Sequence, residues 1–374
     1  MTRSPTATKT LSSDSQSSDS RHAKARRISR RHAIALIGGA VAAPAVIRDL
    51  KAAEVTLRLH HMLPPVSTAH KTMFQPWAEK VMKESGGRID VQIFPAMSLG
   101  GKPPELLDQL KGGGADFVWA LPHYQPGRYP VLETWTLPFL ITNSTQTSQS
   151  IHEYMNTVGA KEFAFCKPIA WWAQSPGLFM TKGKKIEKME DLKGLRIRGG
   201  NQIITEAISM MGANGVFFPV TEVAQNLSKG VADGVALPYE IVPAFKLHEL
   251  ANCFAEVAKG GRNFYTVPMV FAMNLQKYEK LPDDLRKVID ANSGAAMARK
   301  FGADFDAGDA FGRSLCEKAG ATFTTISVAE AKRWRDTVAP LTAQWIDTLN
   351  KKGFDGKMLV ETADRLVDKY AKMA

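Results

Sequence analysis

The sequence predicts an α/β protein of two lobes, with a long helix spanning both. Three observations carry this. Residues 54–121 alternate strand-like and helix-like segments in a β-α-β-α-β series, and residues 194–238 repeat that alternation. Between and after these blocks the chain supplies strand-like segments able to cross from one lobe to the other. A helical stretch of nearly forty residues follows, from Pro282 to about Ala319, long enough at 1.5 Å per residue to run along both lobes.

At 374 residues and 44% hydrophobic content the chain has material for about two domains around a sizeable core. The formal charge of +11 would favour a nucleic-acid partner only if it were spread over the folded part. Ten of the 48 Lys/Arg and three of the 37 Asp/Glu lie in residues 1–53, which leaves the remainder at +4. No basic run with interleaved aromatics occurs there, so nucleic acid is not an expected partner.

Residues 1–53 read as an export signal with a polar tail. "SSDSQSSDS" has too little apolar surface to order itself. "ARRISRRHAIALIGGAVAAPAVI" then joins an arginine cluster to an apolar stretch from Ala33 to Ile47, too short for a spanning helix. Arg30 and Arg31, paired ahead of a weakly apolar run, resemble a twin-arginine signal, with a Sec signal or an uncleaved anchor as the alternative. No later segment reaches eighteen consecutive apolar residues, so a soluble periplasmic protein is expected.

In the first lobe (54–176), "EVTLRLHHM" alternates as a strand, and Ser67 or Thr68 is placed to cap the helix that follows. "RIDVQIFP", "KPPELLDQLKGG" and "ADFVWAL" continue as strand, helix and strand. The triple glycine after "DQLK" reads as a helix stop and not as a phosphate loop, because it ends a helix. The second lobe (177–265) runs "GLRIRGG", "QIITEAISMMGA", "GVFFP", "VTEVAQNLSKG" and "DGVALP", with Thr221 expected to cap the fourth segment. "TVPMVFAMN" at 266–274 is a strand expected to return to the first lobe. The long helix (282–319) opens at "PDDLRKVID" with Pro282 at its first position, and Gly294, Gly302 and Gly312 are points where it can kink. Residues 320–374 are expected to be helical and to pack on the lobes.

Cys166, Cys253 and Cys316 are an odd, widely spaced set, which argues against a disulfide framework while allowing one bond. His60 and His61 are neighbours and face opposite sides of a strand. No metal or other cofactor is expected.

A cleft between two α/β lobes favours a small ligand, held beyond the carboxyl ends of the strands. Arg198 ends "LRIR" at such a place, where its fork of donors matches a carboxylate. Trp119, Trp172, Phe218 and Tyr239 lie at or near strand ends and are the expected aromatic walls, the alternative being core packing. Gln174 and Asn201 complete the expected ligand-binding set as polar donors. Arg196, set back from the strand end, is expected to be a surface or ion-paired charge.

Three stretches, "ESGGRIDVQIFPAMSLGGKPPELLDQLKGG", "EDLKGLRIRGG" and "VAQNLSKGVADGVALP", occur in an order and spacing that resemble the substrate-binding proteins of tripartite ATP-independent periplasmic (TRAP) transporters, the C4-dicarboxylate-binding family. The likeness covers residues 54–374. It implies a two-lobed periplasmic binding protein fold that closes on an organic acid and passes it to a small and a large permease subunit. It also implies that the arginine at position 198 binds the ligand carboxylate. Two positions depart from the pattern: Leu237 stands where many members have a ligand-binding asparagine, and Gly177 lies near the place of a further arginine. A second carboxylate would then lack a partner, and a buried unpaired ion costs several kcal/mol. The expected ligand is therefore a monocarboxylate with an apolar or aromatic body. A C4-dicarboxylate or sugar acid is the alternative within the family; a sensory ligand-binding component or an uncharacterised enzyme is the alternative outside it. No nucleophile elbow, Walker loop or dinucleotide fingerprint supports an enzyme.

Overall fold

The computed structural model describes residues 53–258 and 261–373, and the export-signal reading of residues 1–53 lies almost wholly outside them. Alternating apolar residues build eleven described strands: β1 (Val55–His60), β2 (Ile89–Phe94), β3 (Phe117–Ala120), β4 (Cys166–Ala173), β5 (Leu178–Thr181), β6 (Arg196–Arg198), β7 (Asn214–Val216), β8 (Gly234–Leu237), β9 (Cys253–Val257), β10 (Pro268–Asn274) and β11 (Thr322–Ile326). They form two sheets, in the orders β2-β1-β3-β10-β4 and β11-β9-β5-β8-β6-β7. Each sheet contains one strand antiparallel to both its neighbours: β10 between β3 and β4, and β5 between β8 and β9.

These two reversed strands mark where the chain passes from one sheet to the other. The first crossing lies between β4 and β5, the second between β9 and β10. The crossings hydrogen-bond to each other, with Gln174 N donating to Val267 O at 3.0 Å, Gly177 N to Tyr265 O at 3.0 Å and Thr266 Oγ1 to Gln174 O at 2.7 Å. The two lobes are thus joined by a stitched pair of strands and not by a loose linker.

The helical stretch after Pro282 is two helices, Asp283–Ala291 and Ala295–Lys318, with Pro282 as the N-cap of the first. The break falls at Gly294, whose φ of 85° favours glycine. Gly302 and Gly312 do not kink the longer helix; they let it press on its neighbours. A Cβ at Gly302 would stand 2.7 Å from Ser144 O, and one at Gly312 would collide with Tyr239 O. On the first-lobe side Asp306 accepts from Ser144 N at 2.8 Å and Thr145 N at 2.9 Å, capping helix Ser144–Thr157. On the second-lobe side Asp309 accepts from Glu240 N at 2.7 Å. Two acids three residues apart thereby tie one helix to both lobes.

Three further expectations are corrected. Residues 320–374 open with β11, a threonine-rich edge strand paired in parallel with β9, before helices Val328–Val338, Pro340–Lys351 and Gly356–Ala371. Thr221 caps no helix; it lies inside the 3-10 turn Val220–Glu222, and the helix Val223–Ser228 has no side-chain cap. Phe217 and Phe218 follow β7 and do not end it. The three cysteines are free and buried. Among the described residues no helix is long and apolar enough to cross a membrane.

Candidate functional site

At the carboxyl ends of β3, β6 and β8, beside the stitched crossings, lies a narrow cavity of about 30 Å³. That is far below the range of roughly 300–1,000 Å³ for ligand pockets, so a ring-sized molecule fits there only if the lobes part. Its walls are mostly apolar, with Met62, Leu63 and Leu121 from the first lobe and Val220, Leu237 and Ile241 from the second. Four polar or aromatic residues interrupt them, Arg198, Gln174, Glu240 and Trp119, and Tyr124 closes one side.

Arg198 dominates the electrostatics. It is 2% exposed, yet no ion pair joins it to a carboxylate among the described residues. Its Nε donates to Phe218 O at 3.1 Å, which fixes the guanidinium plane, and the Tyr124 hydroxyl lies beside the group. Arg196, two residues earlier, is bidentate to Asp233 at the surface, with Nη2 2.7 Å from Oδ1 and Nε 3.0 Å from Oδ2. A buried cation without a counter-ion costs several kcal/mol unless an anion completes it.

Of the other residues expected in the site, Trp119 and Gln174 line this cavity, and Trp119 Nε1 has no hydrogen-bond partner among the described residues. Four lie outside its lining. Trp172 is wholly buried on the same sheet face as Trp119, its ring centroid 6.0 Å from that of Trp119, and packs edge-on to Phe301 of the long helix at 5.2 Å. Phe218 contributes its carbonyl to Arg198, not its ring to the wall. Tyr239 stacks on Phe254 and donates its hydroxyl to Glu256 at 2.7 Å. Asn201 caps helix Gln202–Met210, Oδ1 accepting from Ile204 N at 2.9 Å, and faces a neighbouring open groove with His123. Burial, and secondarily the charge of Arg198, lower the His123 pKa to about 3, so its ring is neutral beside the site.

The two positions that depart from the family pattern have structural counterparts. Leu237 lines the cavity. Gly177 has no room for any side chain, because a Cβ there would run into the Tyr265 ring. Tyr265 is held in turn by its hydroxyl, which donates to Ala236 O at 2.5 Å. Sequence reasoning missed Glu240 and Tyr124, both of which sit in short turns after strands. Tyr124 reaches across the cleft, its hydroxyl accepting from Val220 N at 3.0 Å. Thr68 crosses in the other direction and donates to Glu240 O at 3.2 Å.

Two α/β lobes closed over a cavity with one unpaired cation have the build of a solute-binding protein. Residues 59–348 match the model of the DctP family, bacterial extracellular solute-binding protein, family 7. The chain belongs to that family and is a binding component of TRAP-type transport, not an enzyme. A TRAP solute-binding protein from Rhodoferax ferrireducens, solved with copurified benzoate, is similar at 41% identity and a TM-score of 0.83, covering 85% of this chain and 99% of that one. A marine-metagenome TRAP solute-binding protein specific for aromatic acids, co-crystallised with 3-hydroxybenzoate, is similar at 42% identity and a TM-score of 0.83, over 85% and 99% of the two chains. A solute-binding protein of Albidiferax ferrireducens is 25% identical over 328 residues, 85% of this chain and 94% of its own. TRAP solute-binding proteins capture small organic acids and work with membrane permease subunits.

Proposed function

We propose that the protein captures an aromatic monocarboxylate in the periplasm through Arg198 and delivers it to the small and large subunits of a TRAP permease. The observation that carries this reading is the buried, unpaired Arg198 guanidinium in an otherwise mostly apolar cavity. One carboxylate satisfies it, while Trp119, Leu237 and the methionines cover an apolar ring, gaining about 25 cal/mol for each Å² removed from water. A second carboxylate would meet no further Lys or Arg in that lining. The bound acids of the two similar structures, benzoate and 3-hydroxybenzoate, support the same class.

Titration calorimetry tests this directly. Benzoate should bind the wild-type protein at least about tenfold, or 1.4 kcal/mol, more tightly than succinate, malate or fumarate. Arg198→Ala should weaken benzoate binding by about 2–5 kcal/mol, the usual cost of truncating one partner of a buried charge pair. Unchanged affinity in that variant, or tighter binding of a C4-dicarboxylate by the wild type, would overturn the assignment.

A further inference from the structure

Glu240 is a second ionisable group in the cavity wall, and no feature of the monocarboxylate reading uses it. The residue is 2% exposed, and its backbone is pinned from both sides: the N–H to Asp309 Oδ1 at 2.7 Å, the carbonyl to Thr68 Oγ1 at 3.2 Å. Its Cβ rests against Gly308 of the long helix, where an added methyl would come within 3.2 Å. A backbone held this way keeps the residue at the cavity wall. Its Oε2 is buried with no hydrogen-bond partner among the described residues. Nor does the carboxyl form an ion pair with Arg198, although both line the one cavity.

Two groups of opposite formal charge that share a cavity without pairing leave a gap that a ligand can bridge. An unsatisfied buried oxygen costs about 1–3 kcal/mol, so a bridging ligand gains from closing it. Burial, and then the neighbouring Asp309, hold the Glu240 pKa well above the usual carboxylate range. In either protonation state its oxygens can accept a hydrogen bond from a ligand hydroxyl. It therefore complements a hydroxyl and not a second anion.

We propose that Glu240 is the specificity residue of this cavity, binding a hydroxyl on the ligand's ring while Arg198 binds the carboxylate, so that hydroxyaryl acids are preferred over unsubstituted ones. This rests on the aromatic-acid reading above and narrows its ligand class.

The test is calorimetry on the purified protein with benzoate, its three monohydroxy isomers and the three matching methylbenzoates. At least one hydroxy isomer should bind about tenfold or more tightly than both benzoate and the methyl analogue of the same ring position, because a site built to hydrogen-bond a hydroxyl discriminates against its absence. Glu240→Gln should keep that order, since an amide oxygen also accepts. Glu240→Met should reduce the preference to less than about threefold. The ligand-side comparison needs no variant, so it decides even if Glu240→Met does not fold. The proposal fails if no hydroxy isomer exceeds its methyl counterpart, or if Glu240→Met weakens benzoate and hydroxybenzoate alike, which is the mark of a framework role. Failure of the parent reading looks different: no aryl acid binds at all, or Arg198→Ala binds benzoate as the wild type does, and the hydroxyl proposal falls with it.

Discussion

Arg196 and Arg198 lie two residues apart on one short strand and end in opposite surroundings. The first is 45% exposed at its side chain and satisfied by Asp233; the second is buried and unsatisfied. Surface pairs of the first kind contribute about 0–1 kcal/mol. Arg196→Ala should therefore leave benzoate affinity within about tenfold of wild type, and a larger loss by calorimetry would show that its charge reaches the site. Arg198 was legible in the sequence because a strand end, a glycine pair and a cation coincide there. Trp172 and Tyr239 were not, for a physical reason. Alternation along a strand tells which residues share a face, but not which face a helix will cover. Trp172 shares the Trp119 face, but there Phe301 and Phe305 of the long helix claim its ring. Glu240 and Tyr124 escaped because turn residues carry no periodic signal, and only the assembled lobes bring them together.

The long helix shows how glycine reads differently at the scale of an element. In the sequence its three glycines are equivalent interruptions; in the fold Gly294 is the N-cap that starts the longer helix, and Gly302 and Gly312 are contact points. Gly312→Ala should destabilise the protein by about 1–3 kcal/mol, the range for overpacking against a backbone that cannot yield. Thermal or urea unfolding measures it, and a variant as stable as wild type would mean that the Tyr239 turn gives way. The β-α-β-α-β blocks and the return of β10 to the first sheet could be read from alternation alone. β11 could not: it is short, rich in threonine and half-buried at a sheet edge, so its pattern resembles that of a polar loop.

For the molecule as a whole, closure and pH are the measurable properties. Tyr124, Thr68 and the two acids of the long helix hold the lobes together over the cavity, and an acid that touches both lobes shifts the population toward this closed form. Small-angle scattering should show compaction on saturation with benzoate; identical curves with and without ligand would point to a rigid pocket. The pH response follows from buried groups. Burial raises Glu162 to about 7 and Asp309 to about 8, and lowers His61 and His123 to about 3. For the two acids the unfolded chain releases its protons first, so their stabilising contribution is complete below the ordinary carboxylate range and is lost as pH rises through about 7 and 8. The histidines have the opposite sign: folding excludes their protonated forms, so their contribution is complete above the ordinary value of 6.5 and is lost as pH falls towards 3. The melting temperature of the ligand-free protein should hold level between about pH 4.5 and 6.5, where the two trends cancel, and fall from there to about pH 8. A flat or rising profile over that upper range would contradict the assignment of buried neutral acids.

The contact between Gly177 and Tyr265 also constrains the order in which this site could change its diet. Any side chain at position 177 meets the tyrosine ring, and that ring is anchored by Ala236 O at its far end. A lineage moving from this pocket towards a diacid would have to shrink Tyr265 before position 177 could gain a cation. The intermediate would have lost a core ring without yet acquiring a new ligand. A cation at position 177 therefore needs two substitutions in a fixed order, at 265 and then at 177.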